Sequence, residues 1–174
     1  MNGFVTCKMP FSKALADLAK QALAAAQAKN CSIVTAESCT AGKLSGLLAE
    51  APGAGTFLHG GFVSYTKDNK IKALGVSPEL LKEKTAVCVD VAVEMAKGAL
   101  ARSPANVAVA ITGVAGPEPD EDGNPVGLVC IAVARQGAPP SRLEKRYANA
   151  GRDAIQEQAM ADALSALTGA ITRQ

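Results

Sequence analysis

Ser32-Ile33-Val34-Thr35-Ala36-Glu37-Ser38-Cys39-Thr40-Ala41-Gly42 is the stretch that decides the fold. Residues 32–36 are a short β-rich run, and residues 41–51 read as a helix. The Thr35–Gly42 segment is therefore a turn between a strand end and a helix start. In open α/β sheets, ligands gather beyond the carboxyl ends of strands. The same turn is thus the first place to look for chemistry.

Working outward, residues 9–30 read as a helix, with Leu15, Leu18, Ala22 and Ala25 or Ala26 at helical spacing and Pro10 suited to its start. After the break at Pro52-Gly53-Ala54-Gly55, residues 61–65 are a second strand candidate. Residues 68–74 predict a short helix ending at Gly75. Ser77-Pro78-Glu79 has the form of an N-cap, an N1 proline and a first-turn acid. Residues 88–101 predict a helix. Residues 106–111 form a continuous apolar run of the kind that suits a strand buried on both faces. Residues 126–134 predict another strand, 142–148 an edge strand and 151–167 a closing helix. Alternating helices and strands imply an α/β fold, a three-layer α/β/α sandwich with a mixed, mainly parallel sheet. The last three strands are joined by loops alone, which implies some antiparallel pairing.

The chain has 174 residues, enough for one domain over residues 1–174 with one main core. There is no Trp and aromatics total 3%, so packing must come from small aliphatic side chains, and elements can approach closely. The formal charge of +2 and scattered basic residues argue against a nucleic-acid partner. Five cysteines at wide spacing, with no CxxC pair and one histidine, suggest free thiols rather than a disulfide framework or a zinc site. Cys31 and Cys130 read as buried thiols. The N-terminus does not have the form of a signal peptide, and no apolar stretch reaches membrane-spanning length. A cytoplasmic location with no membrane partner is the resulting expectation.

Three polar segments fall at predicted strand ends: Glu37-Ser38-Cys39-Thr40, then Tyr65-Thr66-Lys67-Asp68-Asn69-Lys70, then Thr112-Gly113-Val114-Ala115-Gly116. Ser38, Thr40 and Gly42 lie at a helix mouth, where unpaired backbone N–H groups can hold a phosphate or an oxyanion. Ser38 is either a nucleophile, if a base approaches it, or with Thr40 a helix cap. His59 precedes the predicted second strand beside Gly60-Gly61 and is expected to be a surface or packing residue; a Gly-x-Ser-x-Gly elbow is absent. Lys67 and Lys70 are the other available bases, since burial can lower a lysine pKa; each could equally be a solvated surface group. Tyr65 could bond to Ser38 or to substrate, or be a half-buried sheet aromatic. Thr112 could donate a hydrogen bond, and the glycines at 113 and 116 permit close approach to a ligand; a plain turn is the alternative. Glu37 could bind a sugar hydroxyl or orient Lys70. Asp120, Glu121 and Asp122, in the acidic loop 118–125, could bind Mg²⁺ but read better as a solvated loop. Arg152 opens the last helix, where a cation opposes the helix dipole, which hints at a functional role such as a phosphate contact.

Taken together, Thr35–Gly42, Gly61-Phe62-Val63-Ser64-Tyr65 with Lys70 and Gly75-Val76, Ala110–Pro117, Pro125-Val126-Gly127 and Gly151-Arg152 resemble the ordered blocks of the CinA C-terminal domain family. The resemblance covers roughly residues 10 to 170. It implies an α/β/α amidohydrolase that converts nicotinamide mononucleotide to nicotinate mononucleotide and ammonia, in pyridine nucleotide salvage. It implies a competence- or damage-inducible protein, a homo-oligomer such as a dimer, no cofactor and no metal. The family's serine corresponds to Ser38, the lysine after the tyrosine to Lys70, and the hydroxyl residue of the third block to Thr112. With Tyr65 these are the expected catalytic residues. Glu37, Cys39, Thr40, Ala41, Gly42, Gly113, Gly116 and Arg152 are the expected substrate-binding residues. Many members have two glycines where this chain has Ala41-Gly42, and alanine forbids little except positive φ. Amide hydrolysis by a directly activated water, a non-catalytic nucleotide-binding or regulatory domain, and a purely structural partner are the alternatives.

Overall fold

The structure, a computed structural model, describes residues 11–173. The expected start of the first helix at Met9 and Pro10, and Cys7, lie outside them. Helix α1 (Lys13–Ala28) is capped by Ser12, whose hydroxyl accepts from the Leu15 amide. Strand β1 (Ile33–Glu37) follows, then helix α2 (Lys43–Ala49), a four-residue helix α3 (Ala54–Phe57) and strand β2 (Leu58–Val63). Helices α4 (Lys67–Leu74), α5 (Pro78–Lys84) and α6 (Val89–Ala101) lead to strands β3 (Val107–Gly113), β4 (Leu128–Arg135) and β5 (Ala138–Arg146). Helix α7 (Arg152–Thr172) closes the fold.

The five strands make one sheet in the order β2-β1-β3-β4-β5. β1 pairs in parallel with β2 and with β3, whereas β3–β4 and β4–β5 are antiparallel. The expectation of a mainly parallel sheet is therefore corrected to one divided evenly. The reason lies in the connections: helices carry the chain back between the parallel strands, while β3, β4 and β5 are joined without them.

Alternation along the strands sorts the side chains into two layers. Val107, Val109 and Ile111 of β3 and Val129, Ile131 and Val133 of β4 face α1, α2 and α7. Burying each such large aliphatic side chain contributes roughly 1.5–3 kcal/mol. Ala36, Ala108, Ala110, Ala132 and Ala134 pave the other face, under α6. The small residues let α6 lie close to the sheet. Gly98 carries that economy further, because a Cβ there would stand 1.9 Å from the Leu74 carbonyl oxygen at the end of α4.

Several boundaries depart from the sequence reading, each for a physical reason. β2 begins at Leu58, ahead of the glycine pair, and a register shift near His59 absorbs the irregularity. β5 begins before Pro139 and Pro140, which an edge strand tolerates because one side needs no amide donors. β3 runs through Thr112 and Gly113, which pair with Cys130 and Val129. α2 starts at Lys43 rather than Ala41, because Ala41 and Gly42 have φ of 50° and 92°. α7 continues five residues past Leu167, to Thr172. No helix of the described residues is long and apolar enough to cross a membrane.

Candidate active site

Parallel pairing puts the carboxyl ends of β1, β2 and β3 side by side: Glu37 is in register with Val63 on one flank and Ile111 on the other. The chain leaves β1 first toward β2 and later returns to β3 on its other side, which makes this end a topological switch point. A cleft of about 410 Å³ opens here, lined by Ser38, Cys39, Tyr65, Lys70, Thr112 and Arg152 among others.

Lys70 lies on α4, which Thr66 caps at its N-terminus and Gly75 ends in the left-handed region. Its side chain is 1% exposed. The Nζ donates to Ser38 Oγ and to the Ser64 carbonyl, each at 2.8 Å, and to the Tyr65 carbonyl at 3.3 Å. No carboxylate is among these partners. Burial therefore dominates, lowering the Lys70 pKa from 10.5 to about 8. Lys67, by contrast, points to the acidic loop and pairs with Asp122 at 2.7 Å and Glu121 at 3.1 Å. Its hydrogen bond to Asp122 raises its pKa. Of the two lysines, only Lys70 touches Ser38.

The turn after β1 is organised by Glu37, which is fully buried. Its carboxylate accepts from the Gly42, Leu44 and Ser45 amides and from the Thr40 and Thr35 hydroxyls. Glu37 thus does the capping that the sequence reading offered to Ser38 or Thr40. It touches neither Lys70 nor the cleft. The Ala41 amide donates to the Ser38 carbonyl at 3.0 Å, and Glu37 occupies Gly42, so neither N–H is open to an anion. Among the described residues, the Cys39 and Thr40 amides have no such partner. Ala41 adopts the positive φ that glycine accepts more easily. Burial pushes the Cys39 thiol up to about 12, so the residue beside Ser38 stays protonated and is a poor nucleophile.

Thr112 is 1% exposed and gives its hydroxyl proton to the Ala86 carbonyl at 2.8 Å. It faces the cleft as an acceptor, not as the expected donor. Tyr65 lies past the end of β2 and is 56% exposed. Its hydroxyl is 3.4 Å from Arg152 Nη2, and only its backbone carbonyl reaches Lys70. A direct Tyr65–Ser38 bond is not formed. Arg152 also donates to the Gly116 carbonyl at 2.8 Å, tying the third block to α7. Gly113 lines the cleft, and a Cβ there would stand 2.7 Å from the Leu128 carbonyl oxygen. His59 is exposed on β2 and does not line the cleft.

In the acidic loop, Asp120 accepts from the Asp122 and Asn124 amides. Among the described residues no three His, Cys, Asp or Glu side chains converge to hold a metal ion. One buried polar residue escaped the sequence reading. Gln156 of α7 is 2% exposed and donates to the Cys39 carbonyl at 2.6 Å. Its signal was a polar residue on the apolar stripe of α7.

Known proteins resemble the chain in sequence and in fold. The sequence model of the CinA C-terminal domain matches residues 15–171. A putative competence-damage inducible protein from Symbiobacterium thermophilum is 42% identical over 138 residues, covering 75% of this chain and 32% of its own length. A CinA-like protein from Mycobacterium marinum is 50% identical over 101 residues, covering 58% of this chain and 24% of its own. The chain thus spans at most about a third of the length of these curated relatives. The crystal structure of competence/damage inducible protein CihA from Agrobacterium tumefaciens superposes with a TM-score of 0.90 at 37% identity, covering 95% of this chain and 100% of that one. A CinA superfamily protein from Escherichia coli superposes at 0.84 with 34% identity, covering 96% and 97%. With the family's model matched from α1 to α7, the chain belongs to the CinA C-terminal domain family.

Proposed function

We propose that this chain hydrolyses the carboxamide of nicotinamide mononucleotide to nicotinate mononucleotide and ammonia, with Ser38 as nucleophile and Lys70 as base. The observation that carries the reading is the buried Lys70 Nζ, 2.8 Å from Ser38 Oγ and without a carboxylate partner. A charged lysine has three hydrogens for its three acceptors. A neutral one has two hydrogens for the Ser64 and Tyr65 carbonyls and a lone pair for the Ser38 hydroxyl. The same three neighbours therefore suit both protonation states.

In this scheme Lys70 takes the Ser38 proton as Oγ attacks the carboxamide carbon. The tetrahedral oxyanion accepts from the amide of Cys39, which lines the cleft beside Ser38; one such donor typically contributes about 3–4 kcal/mol to the transition state. Lys70 then gives its proton to the departing nitrogen, which leaves as ammonia. Water, deprotonated by Lys70, attacks the acyl-enzyme. Collapse releases the carboxylate and returns the proton to Ser38. Arg152 holds the substrate phosphate, and Tyr65, exposed at the mouth, lies against the nucleotide.

The test is ammonia release from nicotinamide mononucleotide by the parent chain, Ser38→Ala and Lys70→Ala. Loss of at least roughly a thousandfold is expected for both variants, as when a unit of nucleophile and base is broken. Release near the parent rate in both sinks the serine–lysine assignment. Binding of the nucleotide without release by the parent chain supports a non-catalytic binding or regulatory domain instead.

A further inference from the structure

Gln156 sits where α7 is otherwise apolar, among Ile155, Ala159, Met160 and Ala163. Its Oε1 accepts from Lys43 Nζ at 2.5 Å, and its Nε2 donates to the Cys39 carbonyl at 2.6 Å. Lysine has only donors, so the amide is oriented by its partners. The ammonium also polarises the amide and strengthens its N–H as a donor.

The Cys39 carbonyl and the Thr40 N–H belong to one planar peptide, so anchoring the first sets the direction of the second. The preceding peptide is anchored in the same way, through the Ser38 carbonyl and the Ala41 amide. Both anchored peptides directly follow Ser38, and of the two residues Cys39 lines the cleft while Thr40 is buried. Arg152, one turn earlier on the same side of α7, ties down the Gly116 carbonyl and approaches the Tyr65 hydroxyl. The first two turns of α7 therefore bind all three walls of the cleft.

We propose that Gln156 is a positioning residue, holding the Cys39 carbonyl and with it the turn that presents the Ser38 hydroxyl and the Cys39 N–H at the cleft. This rests on the reading of Ser38 as a nucleophile. Gln156→Glu preserves the shape and the Lys43 contact but has no hydrogen to donate. Gln156→Met preserves the length and removes the polarity. Two readouts on the full chain separate the claims. One is the rate at which a fluorophosphonate probe modifies Ser38, followed by intact mass with Ser38→Ala as the blank. The other is kcat and KM for ammonia release from nicotinamide mononucleotide.

Both variants are expected to keep the parent circular dichroism spectrum and to label at least roughly tenfold more slowly, with kcat falling alike and KM within about twofold. Labelling within about twofold of the parent rate overturns the proposal, as does a loss confined to KM. If the parent chain labels at Ser38 but releases no ammonia, the substrate assignment fails and the labelling ratio alone decides the role of Gln156. Failure of the parent chain to label at Ser38 overturns both readings.

Discussion

Replacing Lys70 by methionine keeps the aliphatic stem and removes the ammonium, which makes the buried charge measurable. In the folded chain the pKa falls from 10.5 to about 8, with burial as the leading cause. At about 1.4 kcal/mol per tenfold change, that corresponds to roughly 3 kcal/mol against the protonated native state. Below about pH 8 both folded and unfolded chains hold the proton, and the penalty is constant. Between about pH 8 and the unfolded value of 10.5 the unfolded chain binds more protons, so stability rises with pH through that window. From about pH 7 to about pH 10 the gain due to Lys70 is roughly 2 to 3 kcal/mol. Urea unfolding of the parent and of Lys70→Met at both pH values isolates it, because the other titrating groups are common to the two chains. The fixed offset contains the hydrogen bonds to Ser38, Ser64 and Tyr65; its pH dependence does not. The parent should gain roughly 2 to 3 kcal/mol relative to the variant on going to the higher pH. A difference that stays constant refutes the buried, depressed lysine, and with it the base assigned to Ser38. The same group predicts that kcat/KM for ammonia release climbs about tenfold per pH unit below about pH 8 and then levels off.

Other perturbations test the scaffold of the site. Ala41→Gly should stabilise the fold by roughly 0.5–1 kcal/mol in denaturant unfolding, because Ala41 has a φ of 50°. Glu37→Gln leaves an amide facing backbone N–H donors of α2; it should destabilise by roughly 3 kcal/mol and slow the Ser38 reaction, read by urea unfolding and probe labelling. Gly98→Ala places a methyl group 1.9 Å from the Leu74 carbonyl oxygen. It should destabilise by about 1–3 kcal/mol and, by displacing α4 and Lys70, should lower activity in the same assay.

Much of this was legible in the chain itself. Periodicity and breakers located β1, β3, β4, α6 and the start of α7 to within a few residues, since hydrophobic spacing records which face is buried. The ordered blocks around Ser38, Lys70 and Gly113 marked where polar groups interrupt apolar strands. Boundaries at β2 and β5 were misread because Gly60-Gly61 and Pro139-Pro140 signal breaks locally, while an edge strand accommodates both. The parallel-to-antiparallel balance depends on which strands meet, and pairing is a long-range property.

At the site the division is equally physical. The sequence alone determined that a serine, a lysine and a glycine-rich segment would follow strand ends, because local patterning sets where strands stop. Packing supplied the reason that Lys70 rather than Lys67, the lysine the family resemblance implied, meets Ser38: the two differ in direction and burial, not in composition. Only the tertiary structure turned Glu37 from a candidate ligand contact into the cap of α2, and brought Gln156 across 117 positions of chain to the Cys39 carbonyl. Spacing along a strand or helix is written in neighbouring residues. The pKa of a lysine and the freedom of an amide depend on what is packed against them, and that exists only when the distant segments have met.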